Sequence, residues 1–418
     1  MTIEVTTLDN GLRVVTDVTP HVETVTVGVW TDVGSRHERA EQNGLSHMLE
    51  HMAFKGTRSR NAQAIAEVIE DVGGYLNAYT SREHTTFYAR LLKDDLALGI
   101  NVLADILQNS TFEPQELERE RGVIIQEIGQ ANDTPDDIVF DFLQEASYPG
   151  QALGRPILGT TDLVNSFTRD DLAKYLADHY KAKQMVVSAS GNFDRKRFID
   201  RVEEEFSTLA PARDFNGEVA DYKGGAELQE RRLDQVNLLL GFDGLAFDDP
   251  DFYAAQIMSM ILGGGMSSRL FQEIREKRGL VYSIYSFMQS YRDGGSFAIH
   301  AGTGPEQVRE LIPVVAAEMH KLSASVSMDE VVRARTQMKA GLLMAMESTT
   351  SRMEQMGRQM MIFGRPVPQT EIIEQIDRVD DVAVMRYMDR LLSDNRLALA
   401  AVGPLDHLEE YDRIAARF

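Results

Sequence analysis

Two hydrophobic periods run through the sequence and predict most of its secondary structure. Apolar or β-branched residues that alternate with polar ones, or short apolar runs between turn residues, predict β-strands. Apolar positions three or four residues apart predict helices that bury one face. The predicted strands are residues 12–18, 25–33, 75–80, 85–91, 184–190, 235–241, 279–285 and 396–402. The predicted helices are residues 45–54, 62–72, 94–107, 113–131, 170–180, 195–206, 252–262, 266–277 and 306–322.

The second half of the chain repeats the order of elements in the first half. At 418 residues the chain also exceeds the length that one hydrophobic core usually serves. The repetition predicts a tandem duplication, with chance similarity between two α/β halves as the alternative. The corresponding elements are 25–33 with 235–241, 45–54 with 252–262, 75–80 with 279–285, 94–107 with 306–322, and 184–190 with 396–402.

The fold class that follows is α+β, with two homologous α/β-sandwich domains, each an antiparallel sheet packed with helices. A polar stretch with Pro211, Gly217 and Gly224 is typical of a linker. The predicted boundaries are an N-terminal domain at 1–210, a linker at 211–226 and a homologous C-terminal domain at 227–418.

Composition narrows the class of protein. Hydrophobic residues make up 43% and charged residues 26% of the chain, and no apolar run reaches the length of a membrane span, so we expect no membrane partner. With no cysteine, the chain has no disulfide, thiolate ligand or cysteine nucleophile. The first residues resemble neither a signal peptide nor an Arg-rich transit peptide, which favours a bacterial cytoplasmic location.

The net charge of −22 argues against a nucleic-acid partner, because phosphates attract Lys and Arg. Such a charge usually serves solubility. The alternative is an acidic interior that attracts basic peptides.

The predicted helix at 45–54 carries two histidines four residues apart, His47 and His51, with Glu50 just before the second. Positions i and i+4 lie on one helix face, so both imidazoles can bind one divalent metal, and neutral imidazole suits zinc. Glu50 borders that face and can take a proton from a water activated by the metal. A lone histidine here would be an ordinary core residue. The pair with its carboxylate, in the reversed zinc-protease order His-x-x-Glu-His, predicts a metal site.

The predicted helix at 113–131 can supply a third ligand. Glu116, Glu120 and Glu127 fall within a narrow arc on one face of it. A catalytic zinc site uses three protein ligands and leaves one position for water, so one of these carboxylates would complete it. The spacing does not choose among the three. A solvated acidic face is the ordinary alternative for such a charge run.

Over essentially its whole length, the chain resembles the pitrilysin-type inverzincin metallopeptidases. Among them it is most similar to the β subunits of mitochondrial processing peptidases and their bacterial homologues. The matching motifs are His-x-x-Glu-His at 47–51, Glu-Arg-x-Val-Ile-x-x-Glu at 120–127, Asn-Ala-Tyr-Thr-Ser-Arg-Glu at 77–83, Leu-Gly-Arg-Pro at 153–156 and Arg-Glu-Lys-Arg-Gly-Leu-Val-Tyr at 275–282.

The resemblance implies roles that spacing leaves open. It makes Glu127 the third zinc ligand, and Glu120 a carboxylate that orients a ligating histidine. It places Asn77, Ala78, Tyr79 and Thr80 on the strand that accepts the substrate as an added β-strand. It also makes Arg275 and Tyr282 the pair that holds the substrate backbone and stabilises the oxyanion. Nothing in the local sequence would single out that pair.

The resemblance further implies that one chain is half of a closed chamber. The expected assembly is a homodimer in which the Arg/Tyr pair of one chain completes the zinc site of the other; a paralogous partner chain is the alternative. The expected function is a zinc endopeptidase acting on extended or unfolded peptides, or on presequence-like segments. Two other functions are a scaffold subunit, as in relatives of the respiratory cytochrome bc₁ complex with degraded zinc motifs, and a non-peptidase zinc hydrolase.

Overall fold

The computed structural model describes residues 3–211, 217–393 and 396–418. These residues form two compact units, and each unit takes a segment from the other half of the sequence. The first unit consists of Met1–Gly129, Pro156–Glu218 and Leu343–Val367. The second unit consists of Gln130–Arg155, Val219–Leu342 and Pro368–Phe418.

Each unit is built on one twisted sheet. The first sheet has the strand order β1-β2-β6-β3-β5-β4, and the second has the order β7-β11-β8-β10-β9. The strands of the first sheet are β1 (Ile3–Thr7), β2 (Arg13–Val18), β3 (Thr24–Thr31), β4 (Tyr75–Thr80), β5 (Thr85–Leu92) and β6 (Met185–Gly191). Those of the second sheet are β7 (Gly225–Glu230), β8 (Val236–Asp243), β9 (Val281–Ser290), β10 (Gly295–Thr303) and β11 (Ala398–Gly403).

The two sheets share one topology. Strands β2, β6, β3, β5 and β4 correspond in order and direction to β7, β11, β8, β10 and β9. In both sheets one pair is parallel, β2 with β6 and β7 with β11, and the other pairs are antiparallel. The predicted fold class and duplication are therefore confirmed, with one parallel pair in each otherwise antiparallel sheet.

Helices cover these sheets and supply the rest of the core. The first eight in chain order are α1 (Leu45–Ala53), α2 (Ala62–Glu70), α3 (Leu96–Gln108), α4 (Pro114–Asp133), α5 (Pro135–Ser147), α6 (Thr161–Ser166), α7 (Arg169–His179) and α8 (Arg195–Phe206). The others are α9 (Phe252–Gly263), α10 (Val308–Ala324), α11 (Met328–Ala345), α12 (Thr349–Phe363), α13 (Gln369–Arg378), α14 (Asp381–Ser393) and α15 (Tyr411–Ala415). Within the described residues, no helix is long and apolar enough to cross a membrane.

Each unit contains one helix from the other half of the sequence. In the first unit α12 packs across β2, β3 and β6, and in the second α5 packs across β7, β8 and β11. The contact of α12 centres on Trp30, which lies among Met353, Met356 and Met360. Gly357 makes this approach possible, because a Cβ there would lie 2.1 Å from the Trp30 indole nitrogen.

The predicted linker at 211–226 is only partly described, because residues 212–216 lie outside the described residues. Of the rest, Tyr222 is buried in the core of the second unit and Gly225 begins β7. The domain boundaries 1–210 and 227–418 remain a prediction about the sequence halves, whereas each compact unit includes one helix from the other half, α12 in the first and α5 in the second.

We expect Gly357→Ala to destabilise the first unit by about 2 kcal/mol, because the new methyl group overlaps Trp30 and forces α12 off the sheet. The midpoint of urea unfolding, followed by the fluorescence of Trp30, measures the change; this is the only tryptophan of the chain. Gly122→Ala is the matched control, since that helical glycine of the first unit has open space around its Cβ position. Equal midpoints for the two variants would contradict the packing argument.

Candidate metal centre and substrate strand

Helix α1 divides its residues between the core and the site. Met48, Leu49 and Met52 are fully buried on one face, whereas the side chains of His47 and His51 are 12% and 17% exposed. The two imidazole rings lie 4.6 Å apart, centroid to centroid. The core therefore anchors one face of the helix and leaves both histidines together on another, largely buried face, as the spacing predicts.

Helix α4 brings a carboxylate to the two histidines. The Glu127 Oε2 atom lies 3.8 Å from His47 Nε2 and 3.5 Å from His51 Nε2. One potential ligand atom from each of these three residues lies within 4.8 Å of the others, which fits a single divalent ion. Glu116, one of the alternatives left open by the spacing, instead pairs with Arg119.

The charges around the histidines favour a cation. Burial, followed by the neighbouring charge of His51, lowers the pKa of His47 to about 3, so His47 is neutral and can bind a metal. Burial alone would also lower the pKa of His51. However, its hydrogen bond with Glu120 and the charges of Glu127 and Glu50 outweigh burial and raise it. A divalent ion would replace this proton and neutralise the carboxylates.

Glu120 fixes the orientation of His51. Its Oε2 atom lies 3.0 Å from His51 Nδ1, and its Oε1 atom lies 2.8 Å from Lys55 Nζ. Burial would raise the pKa of this carboxyl, but the hydrogen bonds from His51 and Lys55 outweigh burial and lower it. An ionised Glu120 holds a proton on His51 Nδ1 and leaves Nε2 free for the metal. Lys55 is a partner that the sequence did not single out.

We expect Glu120→Gln to weaken zinc binding by roughly 10- to 100-fold, because glutamine holds the His51 ring less firmly and adds no negative charge. Competition with a chromophoric zinc chelator at fixed pH measures the affinity. Glu118→Gln is the control, since Glu118 lies on the same helix and its exposed side chain pairs with Arg121. If both variants bind zinc as tightly as the native chain, Glu120 does not support the site.

Glu50 points from α1 toward the first sheet. Its Oε2 atom accepts a hydrogen bond of 2.5 Å from Thr80 Oγ1, at the end of β4. Burial raises the pKa of Glu50, assisted by the charge of Glu127, although the Thr80 hydrogen bond and the charge of His51 oppose the rise. The carboxylate therefore lies beside the histidines but is held by the strand, which suits a base better than a ligand.

Strand β4 forms one edge of the first sheet, with β5 as its neighbour. The Ala78 backbone N–H donates to Asn77 Oδ1 at 2.9 Å, and Asn77 Nδ2 donates to the Tyr75 hydroxyl at 2.7 Å. The Tyr79 ring packs edge-on against Trp30, and burial raises its pKa to about 12. The four predicted strand residues, including Thr80, thus follow one edge that ends at Glu50.

A cavity of about 350 Å³ opens beside the start of this strand. Its apolar walls include Phe54 at the end of α1, Ile65 and Ile69 on α2, and Leu76 on β4. The cavity therefore offers an apolar surface next to an edge strand of the first sheet.

Arg275 and Tyr282 meet within the second unit. The Arg275 guanidinium carbon lies 4.9 Å from the centre of the Phe271 ring and 6.0 Å from that of Tyr282. Tyr282 falls where the register between β9 and β10 shifts, so it bulges out of the pairing and is 75% exposed. The structure brings together the pair that the family resemblance marks and that local sequence does not.

The segment around Arg275 differs from the prediction. The sequence indicates a helix over 266–277, but helical structure begins only at Arg269 and becomes a π-helix at Phe271–Glu276. The preceding glycines and Ser267 delay the start of the helix, and side-chain periodicity does not distinguish a π-turn from an α-turn. π-Turns are common at functional sites.

Family models match both halves of the chain. One described as Insulinase (Peptidase family M16) matches residues 13–161, and one described as Peptidase M16 inactive domain matches residues 166–338. A Rickettsia felis protein named an uncharacterized zinc protease is 39% identical over 96% of this chain and 97% of its own length. The chain belongs to peptidase family M16. A probable mitochondrial-processing peptidase subunit beta of Arabidopsis thaliana is 38% identical over 99% of this chain and 80% of its own.

The M16 fold also occurs in a solved structure of another kind. A chain of complex III₂ from Candida albicans matches with a TM-score of 0.88 over 100% of this chain and 99% of its own. At 22% identity this likeness shows the fold alone. Membership of family M16 confirms the predicted family, and zinc, the predicted cofactor, is the metal of that family. The ligand set of His47, His51 and Glu127 fits zinc.

Proposed function

We propose that the protein is a zinc endopeptidase that cleaves extended or unfolded peptides, or presequence-like segments. The observation that carries the proposal is the hydrogen bond between Glu50 and Thr80. It supports the proposal because the carboxylate lies beside the candidate zinc ligands and at the end of β4, an edge strand among the described residues, where a peptide could pair.

The residues divide the chemistry among them. His47, His51 and Glu127 would hold zinc, which lowers the pKa of water and polarises a carbonyl when bound. Glu50 takes a proton from the water whose oxygen bonds to the peptide carbonyl carbon. It then delivers that proton to the amide nitrogen as the carbon–nitrogen bond breaks. Thr80 keeps the carboxylate pointed along the strand where this occurs.

The edge of β4 suits an extended substrate. A peptide backbone that pairs with Ala78 would replace the internal hydrogen bond from its N–H to Asn77 Oδ1. Main-chain pairing supplies affinity that depends little on sequence, and the neighbouring apolar cavity adds preference for one side chain. Folded proteins lack a free strand to offer, so we expect them to be poor substrates.

A quenched-fluorescent basic peptide, offered to protein of known zinc content, tests this proposal. Cleavage at an internal bond, identified by mass spectrometry and abolished by a chelator, supports it. Bound zinc without cleavage of this peptide or of unfolded protein substrates would favour a non-peptidase hydrolase or a required partner chain. A chain that binds no zinc would leave the scaffold function as the better account.

We further propose that two copies of the chain pair and that Arg275 and Tyr282 of one copy complete the zinc site of the other. The support is that one chain carries both residue sets and that Tyr282 is exposed beside Arg275. An arginine and a tyrosine hydroxyl are suitable donors for a developing oxyanion.

We expect Arg275→Ala alone to lower kcat/KM by about 10²-fold, because one donor to the oxyanion is lost. Mixing Arg275→Ala chains with Glu50→Gln chains should restore activity, since each heterodimer contains one intact site. Heterodimers should regain about half of the native rate, and an equal mixture about a quarter, by subunit statistics. Confirmed heterodimers without activity would refute the shared site.

A further inference from the structure

The helix that carries the histidines begins without a side-chain cap of its own. Its N-cap residue is Gly44, in the left-handed conformation with φ of 97°. Glycine has no side chain that can accept hydrogen bonds from the free backbone N–H groups of the first turn. A Cβ at this position would also lie 2.7 Å from the Leu158 carbonyl oxygen. The close approach to Leu158 therefore requires glycine at position 44, and glycine cannot provide an ordinary side-chain cap.

Glu38, six residues earlier, takes the place of the cap. Its Oε1 atom accepts from the Ser46 N–H at 2.6 Å, and its Oε2 atom accepts from the Gly44 N–H at 2.9 Å. Asn43 Nδ2 also donates to Oε2, at 3.2 Å, and to the Pro156 carbonyl oxygen at 2.9 Å. The residue is only 3% exposed. A buried carboxylate thus holds the first turn of α1 through two backbone amides.

Using Glu38 as the cap costs free energy, because its charged form is buried away from water. Burial raises the pKa of Glu38 to about 7, against the hydrogen bonds from Ser46, Gly44 and Asn43. A serine or aspartate at position 44 would be the ordinary cap, but its Cβ would clash with the Leu158 carbonyl oxygen. By binding the N–H groups of Gly44 and Ser46 at once, the Glu38 carboxylate can also fix the position of the first turn of α1.

The two histidines depend on the helix backbone to different degrees. The Nδ1 atom of His51 forms a hydrogen bond with Glu120, so this side chain sets the orientation of the His51 ring. The Nδ1 atom of His47 is buried without a hydrogen-bond partner among the described residues. His47 lies in the first turn, directly after Ser46, so its ring position follows from the backbone that Glu38 holds.

We infer that Glu38 is a positioning residue for the metal centre, which sets the place of His47 through the first turn of α1. Glu38 accepts hydrogen bonds from the backbone N–H groups of Gly44 and Ser46, so it acts on His47 through the backbone of the first turn. It does for His47 what Glu120 does for His51. This inference rests on the proposed metal site.

Glu38→Gln tests the inference with little change of shape. In glutamine an NH₂ group replaces one carboxylate oxygen and cannot accept a hydrogen bond from a backbone N–H. One of the two backbone hydrogen bonds that cap the helix is therefore lost. We expect the zinc dissociation constant to rise by about 10-fold. We also expect the visible absorption bands of the cobalt-substituted protein to shift, since they report the ligand geometry.

Asp17→Asn is the matched control. Asp17 is also a buried acid of the first unit, but it pairs with Arg352 on α12. Both variants should melt below the native chain, and only Glu38→Gln should alter zinc affinity and the cobalt bands. Native zinc affinity in Glu38→Gln, or equal losses of affinity in the two variants, would overturn the positioning role.

Asn43→Ala keeps the inference testable if Glu38→Gln does not fold. It removes one donor to Glu38 and the tie to Pro156, so a smaller rise of the zinc dissociation constant is expected. An unchanged constant in this variant would count against the inference. If the native chain itself bound no zinc, the metal site would fail, whereas native binding with unaffected variants would refute only the role of Glu38.

Discussion

Glu50→Gln should lower kcat for peptide cleavage by about 10³-fold while the protein keeps its zinc. Glutamine has nearly the same shape, and its carbonyl oxygen can still accept the Thr80 hydrogen bond. Its amide cannot take the proton of the attacking water or return one to the leaving nitrogen. The loss should therefore fall on kcat rather than on KM, because the edge of β4 that binds the peptide is unchanged.

Zinc content and rate must be measured on the same samples. Glu67→Gln, an exposed acid on the neighbouring α2, is a suitable control and should cleave at the native rate. If Glu50→Gln lost its zinc together with its activity, Glu50 would be a ligand rather than the base. If the variant kept both zinc and native activity, another group would be the base.

Local patterns predict the elements that depend on neighbours in sequence. The period of apolar residues in α1, with His47 and His51 on the other face, is determined within three helical turns. Most strands on both sides of the duplication are predicted for the same reason, although β7 and β10 are not among them. Their common order follows once the repeat is recognised.

No local pattern predicts that α12 belongs to the first unit and α5 to the second. The methionines of α12 form an apolar face, and because such flexible side chains adapt to many surfaces, that face by itself does not specify a sheet. What places α12 in the first unit is the match between Gly357 and Trp30, more than 300 positions apart in the sequence. A pattern of hydrophobic positions does not contain that match.

The site divides in the same way. Helical spacing pairs His47 with His51, but it leaves Glu116, Glu120 and Glu127 equivalent on one face of α4. Their contacts separate them: Glu127 lies near both histidine Nε2 atoms, Glu120 pairs with His51 Nδ1, and Glu116 pairs with Arg119. Family resemblance anticipates that order, and spacing does not, because the order depends on the packing of two helices.

This order predicts a graded series in which Glu127→Gln has the largest effect on zinc. Removing one of three ligands should weaken zinc binding by on the order of 100-fold or more, beyond the 10- to 100-fold expected when only a supporting carboxylate is lost. The amide oxygen of glutamine is uncharged and a poorer partner for the ion. Cleavage should fall with zinc content and recover in part when excess zinc is supplied.

Glu116→Gln is the matched control within the same helix face. Its side chain pairs with an exposed arginine, so zinc affinity and cleavage should stay within about twofold of the native chain. Affinities that fall in the order Glu116, Glu120, Glu127 would agree with the packing of α4. A larger loss in Glu120→Gln than in Glu127→Gln would reverse the roles of ligand and support, and the His51 ring would then have to bind through its other nitrogen.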